Sequence, residues 1–140
     1  MVLRRIRKRK GTSAVEMACV APVFVVLLMG IIESSRLGMV SQLLTTAARE
    51  GCRAAVLPGS TPDSVQARID ETLAGSGIPV GTVTPTCDSG GPWTSAPKGA
   101  GITVSLSVPY SKVSWLSIPY FLKTATVSAS ATFSSERETP

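Results

Sequence analysis

The side chains able to do chemistry in this sequence are few, and their types limit the reactions open to it. The 140 residues contain no histidine, which is the commonest general base and metal ligand. A Ser-His-Asp triad is therefore excluded. Cys19, Cys52 and Cys87 form no CxxC pair or tight cluster, so their spacing is not that of a structural zinc site. We expect a protein that is not an enzyme, with no cofactor and no metal.

One carboxylate, that of Glu16, lies at the start of a long apolar stretch. A carboxylate at bilayer depth costs on the order of 2.5 kcal/mol or more, so its position needs a reason. In one interpretation Glu16 lies among lipid headgroups near Arg9 or Lys10 and has no further role. In the other, Gly11 ends a leader and Thr12 becomes a new N-terminus. Glu16 is then the fifth residue and pairs with the ammonium group of a neighbouring subunit.

The apolar stretch is long enough to cross a membrane. Residues 17–32 carry no charge, and the 21 residues from Thr12 to Ile32 span about 30 Å as a helix. A helix that is apolar on all sides would otherwise need a much larger protein wrapped around it. A cleaved secretory signal would end in a small-x-small site, which is missing here. We therefore expect a transmembrane helix over residues 12–33.

A basic cluster fixes the expected orientation of this helix. Six cations precede it: Arg4, Arg5, Arg7, Lys8, Arg9 and Lys10. Such clusters stay on the cytoplasmic side, so we expect a single-pass protein of the inner (cytoplasmic) membrane with a cytoplasmic leader, 1–11, and an exported C-terminal part. The eight other basic residues nearly balance nine acidic ones, so no basic face predicts binding to nucleic acid.

After the apolar stretch, a helical pattern continues as an amphipathic stem over residues 34–57. Its apolar or small residues recur at steps of three or four: Leu37, Val40, Leu44, Ala47, Gly51 and Ala54. The run Leu57-Pro58-Gly59 should end the helix. Glu33 and Arg36 lie three residues apart just past the apolar stretch, which predicts an interfacial ion pair of a few tenths of a kcal/mol. The alternative role for this pair is to set the register between packed helices.

The remaining residues, 58–140, predict a small exported α+β domain. Thr61-Pro62-Asp63 is typical of a helix start, and Val65, Ile69 and Leu73 share one face of the short helix that follows. Alternating apolar and hydroxyl residues predict strands over 102–108 and 125–133. Residues 78–86 are a weaker third candidate, interrupted by prolines, which favours a sheet edge. We expect an antiparallel sheet of two to three strands.

Two cysteines, Cys52 and Cys87, lie in the part predicted to be exported, where oxidising conditions allow a disulfide to persist. A bond between them would close a loop of about 35 residues and stabilise the domain by roughly 2 to 4 kcal/mol. The alternative is two unpaired thiols. Cys19 lies inside the predicted span and should remain a free thiol.

Several motifs together resemble those of TadE-like proteins, which are minor pseudopilins of the tight-adherence (Flp, type IVb) pilus system. The resemblance covers about residues 10 to 57. It is carried by Gly11, Val15-Glu16, Pro22, Gly30-Ile31-Ile32-Glu33, Arg36 and Ala47-Ala48-Arg49-Glu50-Gly51-Cys52-Arg53. It implies a pilin-like membrane protein that is cut between Gly11 and Thr12 by a prepilin peptidase. It further implies other pilin-like subunits and the pilus assembly machinery as partners.

Two functions of different classes follow. The first is a pseudopilin that acts in assembly of a tight-adherence pilus or a related secretion system. The second is a membrane-anchored exported binding module unrelated to pili, with the loop from Cys87 to Gly101 as its contact surface. An anchored hydrolase is disfavoured, since no serine or cysteine is paired with a base.

Overall fold

The computed structural model describes residues 10–115 and 124–137. It has an α+β fold with a long first helix, a short second helix and a three-stranded antiparallel sheet, which confirms the expected fold class. The helices are α1 (Lys10–Val56) and α2 (Pro62–Leu73). The strands are β1 (Thr86–Cys87), β2 (Gly101–Pro109) and β3 (Thr126–Ser134).

Contacts divide the chain into two compact units, Met1–Ser34 and Ser35–Pro140. The described part of the first unit is the beginning of α1. Its large apolar side chains are between 41 % and 72 % exposed: Val15, Met17, Val20, Val23, Phe24, Val25, Val26, Leu27, Leu28, Met29, Ile31 and Ile32. The described residues contain one helix long and apolar enough to cross a membrane, α1, and none of its most apolar stretch is buried.

In the second unit, α1 ends at Val56 and α2 begins at the cap that the sequence predicts. The Thr61 hydroxyl accepts a hydrogen bond from the Ser64 backbone N–H, and the Ser64 hydroxyl accepts one from the Thr61 N–H. This reciprocal capping satisfies two donors that a helix start leaves unpaired. Val65, Ile69 and Leu73 are buried on one face of α2, as expected.

The sheet has the order β1-β2-β3, and both pairs are antiparallel. The two strong strand predictions are confirmed within a residue at each end. The third is wrong over residues 78–85, because only Thr86 and Cys87 form a strand. Pro79 and Pro85 cannot donate to a ladder, and the N–H of Val83 donates to the Gln66 side chain of α2, 3.0 Å away.

The core lies between the helices and one face of β2. Alternate β2 residues are buried against α1 and α2: Ile102, Val104, Leu106 and Val108. The stem contributes mostly small side chains where it meets the sheet: Ala47, Ala48, Gly51, Cys52 and Ala55. Near the end of α1, Cys52 lies beside Ile102, whereas Arg36, nearer its start, lies beside Val113. Residues 35–56 therefore run antiparallel to β2.

Candidate functional site

The predicted processing site lies at the beginning of α1. Gly11, Thr12 and Glu16 are helical and exposed. Residues 12 and 16 are four apart and therefore share one helix face. The basic residues 1–9 lie outside the described part of the chain, so the leader stays a prediction. The exposed carboxylate is available to a group outside this chain, which is what pairing with a neighbouring subunit requires.

The part of α1 that follows Glu16 is apolar on every face, and its large apolar side chains are exposed all around the helix. Pro22 lies inside α1 without ending it, as membrane helices tolerate. Cys19 is an exposed free thiol on this surface. So large an exposed apolar surface marks contact with lipid or with other apolar helices. This helix is compatible with a single-pass membrane anchor.

Arg36 joins the start of the stem to the residues after β2. Its Nε donates to the backbone oxygen of Val113 at 3.4 Å, and its guanidinium lies 5.3 Å from the centre of the Trp115 ring. A cation over an indole face is a favourable contact. Sequence reasoning missed both partners, because 77 residues separate Arg36 from Val113. The ion pair between Glu33 and Arg36 stays a prediction.

Cys52 is buried where the stem meets the sheet. Its thiol donates to the backbone oxygen of Ile102 at 3.1 Å, and burial raises the pKa of the Cys52 thiol above its ordinary value. The thiol is therefore a poorer nucleophile than an exposed one at neutral pH.

Cys87 lies directly across from Ile102 in the ladder between β1 and β2. Residues directly opposite each other in a ladder point to the same face of the sheet, so Cys87 and Ile102 share a face. The structure describes Cys52 and Cys87 as free thiols. Both lie next to Ile102, and the disulfide between them stays a prediction.

One ion pair, between Arg68 and Glu50, joins α2 to the stem, and a second, between Arg68 and Glu71, lies within α2. Arg68 of α2 lies 3.0 Å from the Glu50 carboxylate and 2.8 Å from that of Glu71. Nearby, a Cβ atom built on Gly51 would lie only 2.7 Å from Cγ1 of Ile69, so only glycine lets the two helices approach this closely. Glu50 and Gly51 both belong to the run of residues that carries the family resemblance. Part of that run therefore serves to dock α2.

Arg137, which follows β3, holds the end of the stem. Its side chain is buried, with Nη2 donating to the backbone oxygen of Ala55 at 2.7 Å and to the Ser60 hydroxyl at 2.6 Å. Nη1 donates to the backbone oxygen of Trp93 at 2.7 Å, and Nε to that of Leu57 at 3.3 Å. The last carbonyl groups of a helix have no N–H partner within the helix. The Arg137 side chain donates a hydrogen bond to such a group at the end of α1. No local sequence signal marks this role.

The loop from Cys87 to Gly101, suggested above as a contact surface, is partly used for internal packing. Trp93 and Ala96 are buried, and the Arg137 guanidinium lies 5.5 Å from the centre of the Trp93 ring. Within residues 10–115 and 124–137, no group of three or more His, Cys, Asp or Glu side chains is placed to hold a metal ion.

Comparison with known protein families finds a similarity in the N-terminal part of the chain. The family model described as TadE-like protein matches residues 11–53. The match begins at Gly11, the residue predicted to end the leader, and it includes Glu16, Arg36, Glu50 and Gly51. No curated protein and no solved structure matches the chain. The resemblance noted from the sequence is thus confirmed: over residues 11–53 this chain is similar to TadE-like proteins.

Proposed function

We propose that this chain is a minor pseudopilin that acts in assembly of a tight-adherence (Flp, type IVb) pilus or a related secretion system. The observation that carries the proposal is the beginning of α1, an exposed apolar helix that the TadE-like family model matches from Gly11 onward. The helix anchors the protein in the inner membrane. Its N-terminus is cytoplasmic, and the domain after the stem is exported.

The apolar surface of α1 has two successive partners in this proposal. In the membrane it faces lipid, and during assembly it packs laterally against the helices of other pilin-like subunits. Removal of residues 1–11 by a prepilin peptidase creates an ammonium group at Thr12. The Glu16 carboxylate of a neighbouring subunit pairs with that group, and this offsets the cost of placing both charges at bilayer depth.

Co-purification from membranes tests the proposal. The tagged full chain, cross-linked in cells that carry the pilus system, should recover pilin-like subunits and the secretion ATPase. Glu16→Gln should reduce that recovery, because the neutral amide cannot form the ion pair. Asp63→Asn, which removes a charge from the first turn of α2, should leave recovery unchanged.

The outcome that would contradict the proposal is equally specific. If the cross-linked chain recovers only a soluble ligand, and Glu16→Gln behaves like Asp63→Asn, the protein is a membrane-anchored binding module and takes no part in pilus assembly.

A further inference from the structure

The outer edge of β3 presents a regular row of backbone donors and acceptors. The Tyr110 N–H donates to the Ala125 oxygen and the Ser135 N–H to the Ala100 oxygen, each at 2.8 Å. These bonds, together with the unbroken register between them, show that the odd-numbered residues of β3 bond to β2. The N–H and C=O groups of the even-numbered residues therefore point away from β2. These residues are Thr126, Ser128, Ser130, Thr132 and Ser134.

This edge lacks the features that usually keep a sheet edge unpaired. Natural edges are protected by charged side chains, prolines, bulges or short length. The sequence of β3, TVSASATFS, contains no charge, proline or glycine, and its register with β2 is continuous over nine residues. Within residues 10–115 and 124–137, no strand pairs with this edge. The edge can therefore accept a further strand.

The inner face of β3 indicates which side chains such a strand would carry. Val127, Ala129 and Ala131 are only partly buried against the core, and Phe133 is 39 % exposed. The two alanines are small, so the apolar layer under α1 thins at β3. A strand added beside β3, with larger apolar side chains at alternate positions, would complete that layer.

A cleft at the end of β3 adds a charge preference. It has a volume of about 730 Å³ and is lined by Arg53, Lys98, Phe133 and Ser134, with Glu136 as its one acidic side chain. A strand antiparallel to β3 would begin beside Ser134. An acidic residue at its start would therefore lie near two cations and one carboxylate, which favours a negative charge there.

A second copy of this chain fits the edge poorly. Antiparallel pairing of β3 with the β3 of a second copy requires a two-fold axis perpendicular to the sheet. This axis reverses the direction of the strands and of any element that runs along them. The stem runs along β2, so the two stems would point in opposite directions. That pairing places the N-terminal ends of the two stems, each of which is joined to an apolar segment, at opposite ends of the paired sheets, which disfavours two copies anchored in one bilayer. This step rests on the proposed membrane anchor.

We propose that the outer edge of β3 binds an extended segment of a different polypeptide, antiparallel to β3. The segment is uncharged over about nine residues, has apolar side chains at every second position and begins with an acidic residue. Backbone hydrogen bonds supply affinity, and the alternate apolar positions and the acidic start supply selectivity.

The test uses the full chain in detergent and a labelled synthetic peptide, Asp-Thr-Val-Ser-Val-Thr-Val-Ser-Val-Thr, with binding followed by fluorescence anisotropy. Ser130→Pro removes an N–H that points outward and leaves the ladder to β2 intact, so it should weaken binding about tenfold or more. Thr132→Pro should act in the same way. Ser130→Thr, which keeps the N–H, is the matched control. Circular dichroism confirms that each proline variant is folded, and either folded variant suffices.

Reversing one charge on the protein and one on the peptide tests the charge preference. Lys98→Glu should weaken binding of the peptide about two- to fivefold and strengthen binding of a peptide that begins with Lys instead of Asp. The proposal is overturned if the peptide does not bind saturably, if Ser130→Pro binds it like the wild type, or if Lys98→Glu leaves the charge preference unchanged. It is also overturned if the wild type forms a dimer that Ser130→Pro abolishes, which would make the occupant a second copy. The experiment does not involve a pilus, so its failure leaves the proposed function standing.

Discussion

The guanidinium of Arg137 donates to the backbone oxygen of Ala55 at 2.7 Å, across 82 residues of sequence. Ala55 lies in the last turn of α1, where backbone oxygens carry the negative end of the helix dipole. The residues after β3 are thereby fixed to the end of the stem. Because the stem also packs on β2, the helix and the sheet should unfold together.

The first prediction concerns this contact. Arg137→Met should lower the free energy of unfolding by about 2 to 3 kcal/mol, because it leaves buried carbonyl oxygens without donors. Arg137→Lys should recover only part of the loss, since an ammonium group cannot reach all the acceptors of the planar guanidinium. Urea unfolding of the solubilised chain, followed by near-ultraviolet circular dichroism, measures the effect.

A matched control measures how much stability is lost when an exposed, hydrogen-bonded arginine is replaced in the same way. Arg68 is also hydrogen-bonded, but its side chain is 47 % exposed. Arg68→Met should cost much less than Arg137→Met, because exposed ion pairs contribute little to stability. Equal losses for the Arg137→Met and Arg68→Met variants would show that Arg137 does not hold the stem.

The second prediction concerns the approach of α2 to the stem. Gly51→Ala should destabilise the domain by about 1 to 3 kcal/mol, because the added methyl group overlaps the Ile69 side chain. Gly38→Ala is the matched control: Gly38 lies in the same helix with nothing within 4 Å of the added atom. That change should stabilise the helix by up to about 1 kcal/mol. Thermal unfolding that shows the same sign for both variants would contradict the close packing.

The sequence predicts what depends on local patterns and misses what depends on distant contacts. The end of α1 before Pro58 and the start of α2 at Thr61 follow from backbone chemistry within a few residues. The alternation of apolar and hydroxyl residues likewise predicts which side chains of β2 face the core and which face away from it. Arg137 and Gly51 could not be assigned, because their roles depend on residues 82 and 18 positions away. The third strand fails over residues 78–85 because Val83 donates to Gln66 of α2 instead of to β2.

The third prediction concerns the cysteines. In the oxidising compartment outside the cytoplasm, Cys52 and Cys87 should form a disulfide, since both lie beside Ile102. Thiol labelling of denatured, unreduced protein should then modify Cys19 alone. If all three cysteines label without reductant, the native protein keeps the thiols and the hydrogen bond from Cys52 to Ile102.

The fourth prediction concerns orientation. A reporter that is active only outside the cytoplasm, fused after Pro140, should be active, because clusters of basic residues such as 4–10 favour the cytoplasmic side of the membrane. A cytoplasmic reporter at the same place should be silent. The reverse pair of results would place the sheet domain in the cytoplasm and remove the basis for a disulfide there.

The proposed function depends most on the beginning of α1 as a pilin-like processing and packing site, and the mass of the mature chain tests this role most directly. Co-expression with the matching prepilin peptidase should yield a chain that begins at Thr12 and lacks the first eleven residues. Gly11→Leu should block the cut, because only a very small residue fits beside the scissile bond. Intact-mass data that show Met1 retained in the wild type, in the presence of a peptidase that cuts a known pilin, would contradict this role.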